Sequence, residues 1–265
     1  MISTLSRALR TGGVSLAILA LSGAWAQTAS AAGASAYGIT GSFTSGGVTT
    51  VLAPVNRLTG GTTSTFDKVA NSGAYQNTLL LSAGSTPVPA LVVTAKNFLS
   101  HVKGGFGVDT ISAEGDATTT GLDISLQLYP PVPGPFPQPF LHITAARIED
   151  SASYNLVVPT LAGVDARAVI SGLAIGGSLL HGVTLQYSGI PAQNHVLYQT
   201  PTMTITLDQR ISAALISCTP KCQVTPVNIS ASAIGITLNN ADINGHKVSG
   251  YIAIGNATAG NALLF

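Results

Sequence analysis

Cys218 and Cys222 are the two cysteines of the chain, and only Thr219, Pro220 and Lys221 separate them. In an oxidising compartment such closeness predicts one short-loop disulfide. Two alternatives stay open: a pair of free thiols, or a zinc site that would need two further ligands although no histidine stands near in sequence. The histidines, His101, His142, His181, His195 and His246, are scattered. None forms an H-E-x-x-H or another pair at metal-ligand spacing, and there is no G-x-S-x-G elbow to hold a nucleophile on a sharp turn. His142 falls in an alternating run and reads as structural. His195 follows Ala192-Gln193-Asn194 in an expected loop and is the histidine worth testing. With Asp208 it makes the least poor pair for a hydrolase of unrecognised type, against the plain reading of a solvated loop residue. The expected catalytic, metal-binding and cofactor-binding sets are therefore empty.

Acidic residues offer little more. Asp109, Glu114, Asp116 and Asp123 stand among Gly and Thr and could present oxygens to Ca²⁺, but their spacing fits no calcium loop, and a solvated turn is expected. Asn240-Ala241-Asp242-Ile243-Asn244-Gly245 imitates the first half of an EF-hand loop. Its twelfth position is Tyr251, so the bidentate carboxylate is missing, and a hairpin accounts for the same residues. Arg147, Glu149 and Asp150 form the densest charge cluster of the second half and read as surface pairs worth about 0–1 kcal/mol. Gly105-Phe106-Gly107 is too short for a dinucleotide fingerprint. Sequons at Asn228 and Asn256 matter only in a host that glycosylates.

The elements that must position these residues follow from composition and period. Of 265 residues, 46% are hydrophobic and 8% charged, with 29 Gly and 14 Pro. Soluble domains average about 25% charge, so a basic nucleic-acid binder and a charge-rich disordered chain are excluded. A net charge of +1 implies no charged partner. Residues 1–26 read as a secretory signal peptide: Arg7 and Arg10, an apolar run from Val14 to Leu21, and Ala24-Trp25-Ala26 as the cleavage site, with Ala29-Ser30-Ala31 as the later choice. The apolar run is shorter than the ~20 residues that span a bilayer, and nothing later is apolar enough to span as a helix.

Alternation of period two marks strands. Ile124, Leu126 and Leu128 alternate with Ser125 and Gln127; Met203, Ile205 and Leu207 repeat the pattern, as do Ile234, Ile236 and Leu238, then Val248, Ile252 and Ile254. Between the last two runs, Asn244-Gly245 is a type I′ hairpin signal. Apolar stripes at helical spacing appear only weakly, at 66–80 and 161–175, and both contain Gly, which weakens a helix. The expected fold is all-β, an antiparallel β-sandwich of jelly-roll or Greek-key type, with a closed β-barrel as the alternative. Residues 130–139 (PPVPGPFPQP) hold 6 of the prolines and predict an extended connection. It separates an N-terminal β-rich half (33–129) from a C-terminal one (140–265), as one domain or two. No fixed-period repeat is visible.

The order of motifs resembles the bacterial choice-of-anchor P family. It begins with Ser35-Ala36-Tyr37-Gly38 and continues through Ile170-Ser171-Gly172-Leu173-Ala174-Ile175-Gly176-Gly177 and Ile190-Pro191-Ala192-Gln193-Asn194. Thr206-Leu207-Asp208-Gln209 stands where the family has L-N-E-Q, and Ala233 to Leu238 with Val248 to Ala257 resemble its closing hairpin. The resemblance implies an exported, surface-associated β-rich protein of undefined biochemical role, and no catalytic residues. The C-terminal Asn261-Ala262-Leu263-Leu264-Phe265 carries no LPxTG-like motif. The function expected is that of a non-enzymatic surface or extracellular protein, structural, adhesive or self-associating, whose partners are itself or other surface proteins. A small outer-membrane β-barrel and the hydrolase are the alternatives.

Overall fold

Runs of Thr, Val, Ile and Ala with period two, broken by Gly and Asn turns, form strands because their branched side chains suit a pleated, half-buried surface. The computed structural model describes residues 32–62, 64–82, 87–107, 110–130, 139–157, 161–218 and 222–261. In chain order its strands are β1 (Ala32–Ser45), β2 (Val48–Val55), β3 (Leu58–Thr62), β4 (Phe66–Asn71), β5 (Tyr75–Leu80), β6 (Val88–Ala95) and β7 (Asn97–Phe106). They continue with β8 (Thr110–Tyr129), β9 (Leu141–Val157), β10 (Leu161–Gly176), β11 (Leu185–Gly189) and β12 (His195–Gln199). The last three are β13 (Met203–Cys218), β14 (Cys222–Ile243) and β15 (His246–Asn261). The expected weak helical stripes are β4 with β5, and β10. One short 3-10 turn, Ser178–Leu180, interrupts the pattern.

The strands make two antiparallel sheets packed face to face. The first runs β12-β13-β14-β15-β1-β2, with β3 taking the other half of β1's outer edge. The second runs β11-β10-β9-β8, and the far edge of β8 carries β6 along Asp123–Tyr129 and β7 along Ile111–Thr120. Outside these lie β5 and β4 respectively. Both sheets end in unpaired edges, so the closed barrel is not formed, and the sandwich is. Residues on either side of the proline-rich connection contribute to both sheets: β8 pairs β9, and β1 pairs β15. The closing hairpin turns at Asn244 (φ 53) and Gly245 (φ 84), the positive dihedrals that a type I′ turn requires.

A less visible feature organises the interior. Halfway along each long strand the inward-facing phase changes by one residue, which ordinarily would turn the core side out. On β8 the buried positions are Ile111, Ala113, Ala117 and Thr119, then Leu122, Ile124, Leu126 and Leu128. On β9 they shift from Ile143 and Ala145 to Ile148 and Asp150, and on β10 from Ala168 and Ile170 to Leu173 and Ile175. The first sheet does the same between Ala36 and Ile39, Leu207 and Asp208, Ala233 and Ile234, and Ile254 and Ala257. Left-handed residues absorb the shift: Gly121 (φ 57), Gly172 (φ 61), Asp208 (φ 49) and Gly255 (φ 62). Because these positions are cross-strand neighbours, they form one transverse waist through the sandwich.

The waist divides two cores of different material. Among the described residues, thirty-three buried side chains, five of them Ala and the rest Ile, Leu, Val, Phe and Met, pack around Phe43, Phe98, Leu126 and Ile143 on one side and reach Ile148, Ala168, Ile170 and Ala233 at the waist. On the other, ten of the fourteen buried residues are alanine, among them Ala32, Ala34, Ala36, Ala113, Ala257 and Ala259. Small side chains let the sheets approach closely. A methyl group placed on Gly115 of β8 would lie 2.6 Å from the Ser35 carbonyl oxygen on the facing sheet and 3.0 Å from that of Thr258.

Candidate functional site

Charge enters the interior at the waist. Asp208 is fully buried on β13, and its left-handed backbone turns the carboxylate inward beside Leu207. Arg210, on the same strand, clasps it with two hydrogen bonds, Nε to Oδ1 at 2.9 Å and Nη2 to Oδ2 at 2.6 Å. Asn194 fixes the bulge from the side: its amide donates to the Asp208 carbonyl at 2.8 Å, and its Oδ1 accepts the Arg210 amide at 2.8 Å. Arg210 also reaches the exposed Asp165 of β10 on the other sheet, Nη1 to Oδ1 at 3.8 Å. The guanidinium thus spans the side of the sandwich between the two sheets.

Facing this pair is Asp150 on β9, 1% exposed, whose carboxyl oxygens have no well-aligned hydrogen-bond partner among the described residues, the Ala257 backbone being the nearest donor. Burial pushes its pKa well above the ordinary carboxylate range, and the negative Asp208 adds to that; the Ala257 backbone and Arg210 pull it back only in part. Thr119 Oγ1 and Asn256 Nδ2 are also buried without a partner among the described residues. Asp150 and Asp208 are both buried, at 1% and 0% exposure, so neither carboxyl group is presented at the surface. Their chemistry is internal: one ion pair, and one carboxyl that burial holds toward its neutral form.

The residues singled out in the sequence lie elsewhere or play other parts. His195 is exposed at the start of β12, its ring 6.1 Å from that of Tyr187. Its strand neighbour is Leu207, but the Asp208 carboxylate points into the interior and is occupied by Arg210, so the structure does not join them as a pair. Glu114, Asp116 and Asp123 are not in a turn. They lie on the outer face of β8, where Glu114 pairs with Lys103 (2.9 Å), Asp116 lies 3.7 Å from His101, and Asp123 meets His142 at 3.1 Å. Asp116 is raised to about 6, mainly by burial and then by Glu114; Asp109 is outside the described residues. Of the cluster read as surface pairs, Arg147 and Glu149 do pair in solvent, whereas Asp150, one residue on, is inside. Strand alternation separates them.

Asp242 accepts the Gly245 amide and Lys247 Nζ, each at 2.8 Å, which accounts for the acid in the closing hairpin. Asn256 is 4% exposed, so its sequon is closed to a glycan in the folded protein. Cys218 and Cys222 are directly opposed across β13 and β14; their side chains lie outside the described residues. Among the described residues no group of three or more His, Cys, Asp or Glu could hold a metal ion, and no helix is long and apolar enough to cross a membrane.

No protein-family model, curated protein or solved structure matches this chain. The surface that remains distinctive is the open side beside Arg210. There β12 covers only Thr204–Leu207 of β13, and β11 covers only Ile170–Ile175 of β10. Among the described residues no further strand pairs with residues 209–218 of β13 or 161–169 of β10 on their outer side, one edge in each sheet. Sequence reasoning missed this surface. The signal was present in Asp208, a polar residue interrupting the Met203, Ile205, Leu207 alternation and followed two residues later by Arg210, but in isolation it reads as a strand end.

Proposed function

We propose that the chain is an exported, non-enzymatic β-rich protein of the cell surface or extracellular space, structural or adhesive in role and associating with itself or with other surface proteins. The leader-like residues 1–26 and the ordered resemblance to the choice-of-anchor P family support export and surface association. The observation that carries the reading is the free strand edge that each sheet presents beside Arg210 among the described residues. On β13, where residues 211–218 carry no charge or proline, unpaired N–H and C=O groups are placed to take a further strand by main-chain hydrogen bonding. Fractionation of the native host, with protease added to intact cells, tests it: the protein is expected in the medium or shaved from the surface. Soluble protein protected in an inner compartment would overturn the reading.

The expected disulfide belongs to the same proposal. Directly opposed residues of an antiparallel pair have Cα atoms about 4.5–5.5 Å apart, within the ~4.4–6.8 Å that a disulfide needs. Cys218 and Cys222 then staple the tip of the β13–β14 hairpin. Intact mass after alkylation under non-reducing conditions is expected to show no label on either; two labels would refute the pairing.

A further inference from the structure

The two outer faces of the sandwich differ in charge. On the second sheet the outward positions of β7 to β10 include Lys103, Glu114, Asp116, Arg147, Glu149 and Arg167. On the first sheet, residues 32–55, 228–241 and 248–261 contain no Asp, Glu, Lys, Arg or His. With the large apolar residues and most alanines of these strands turned inward, the outward positions are mainly Ser, Thr, Asn, Gly and Tyr. Some of the hydroxyls are ordered in cross-strand pairs: Ser232 Oγ donates to Asn256 Oδ1 at 2.5 Å, and Thr258 Oγ1 to Ser230 Oγ at 3.3 Å. Soluble surfaces ordinarily mix charges of both signs, so a sheet face of this breadth without any suits a partner that carries none.

One row of this face runs straight across five strands. Thr204 of β13 pairs with Thr237 of β14, Thr237 with Tyr251 of β15, Tyr251 with Ser42 of β1, and Ser42 with Val51 of β2. Tyr251 stands at its centre, 47% exposed, with Thr237 and Ser42 one strand spacing, about 4.8 Å, to either side. Burial, and then Tyr251, raises the pKa of Tyr37 on β1, so the two phenols are neighbours on this face. We propose that the outer face of the first sheet binds a neutral polysaccharide, one pyranose ring of which stacks on Tyr251 while its hydroxyls meet Thr237 and Ser42. A pyranose presents an apolar C–H face and a rim of hydroxyls about as wide as one strand spacing. The aromatic ring receives the first. Hydroxyl side chains on both sides exchange hydrogen bonds with the second, since each can donate and accept. A carboxylated or sulfated chain finds no cation in this row. The inference goes beyond the strand-edge association proposed above and does not depend on it.

Depletion of the purified protein from solution by cellulose, chitin and starch granules tests the inference, with sedimentation run in parallel. Retention is expected on at least one of the three, and equally at low and high salt. Tyr251→Ala weakens it about tenfold or more, and Tyr251→Phe keeps it. Thr237→Ala and Ser42→Ala each weaken it about two- to tenfold. Lys103→Ala, on the charged face, leaves it unchanged. Circular dichroism and a melt confirm that each variant folds. Retention on none of the three overturns the proposal, as does retention that salt abolishes or that Tyr251→Ala leaves intact. Absent retention together with sedimentation altered by Tyr251→Ala assigns the face to a second copy of the chain and likewise overturns glycan binding. Surface exposure and strand-edge association are judged separately, by the protease experiment and by hydrogen exchange.

Discussion

The two ends of this sandwich use the same strands yet are held together differently. Beyond the waist on one side, Phe43, Phe98, Leu126 and Ile143 fill a thick interior, where each large side chain contributes about 1.5–3 kcal/mol on burial. On the other side alanine supplies a single methyl per position, and the sheets close until the backbone of Gly115 meets that of Ser35 and Thr258. The thick end is stabilised by the apolar surface it hides. The thin end depends more on its long hydrogen-bonded ladders and on Arg210 closing its side. Beside Arg210, β10 and β13 are each covered by a neighbouring strand over only part of their length.

Substitutions sharpen that contrast. Phe98 packs over Gly38, where a methyl would lie 2.1 Å from its ring, and edge-to-face on Tyr75 at 5.4 Å. Phe98→Ala is expected to cost about 3–5 kcal/mol in chemical unfolding; a loss below about 1 kcal/mol would mean that the thick end is not filled as described. Arg210→Ala strands a fully buried carboxylate and is expected to cost about 3–5 kcal/mol. Arg210→Lys recovers only part of this, because the pairing is two-pronged. At the thin end the opposite kind of change is harmful: Gly115→Ala adds one methyl and is expected to cost about 1–3 kcal/mol by forcing the sheets apart. An Ala variant as stable as the parent would contradict the close approach.

Asp150→Asn gives a smaller effect, read through pH. Because the folded state holds the Asp150 proton more tightly than the unfolded chain, the native protein gains stability as pH falls through the raised folded pKa toward the ordinary carboxylate range. Melting temperatures of the Asn variant are expected to vary less between pH 8 and pH 4, keeping the gain below about 6 that Asp116 supplies. An unchanged profile would show that Asp150 is not the titrating group. Lys247→Ala, which removes the exposed pair with Asp242, is expected to leave thermal stability unchanged by calorimetry.

The thick half of the fold is plain in the sequence. The runs 124–128, 203–207, 234–238 and 248–254 alternate large apolar with small or polar residues, and Asn244-Gly245 supplies the turn. All of them lie on that side of the waist. The thin half alternates Ala with Ser, Thr and Gly, as in Ala32-Gly33-Ala34-Ser35-Ala36, and small beside small gives almost no hydropathy contrast to read. The waist is equally hidden: a one-residue phase change at Gly121 or Gly172 looks like an ordinary strand break until the neighbouring strands are set beside it. The burial of Asp150 could not be read either. Arg147, Glu149 and Asp150 are adjacent in sequence, and only the shift in phase at Ala146 decides that the third turns inward.

Hydrogen exchange at two protein concentrations, one below and one above the association range, tests the central claim most directly. Amides of residues 163–169 on β10 and 209–218 on β13 are expected to gain protection together at the higher concentration, while those of the opposite edges, β2 and β5, exchange unchanged. Protection that is independent of concentration, or that rises at β2 and β5 instead, would contradict the proposal that the protein associates with itself through the free edges of β10 and β13.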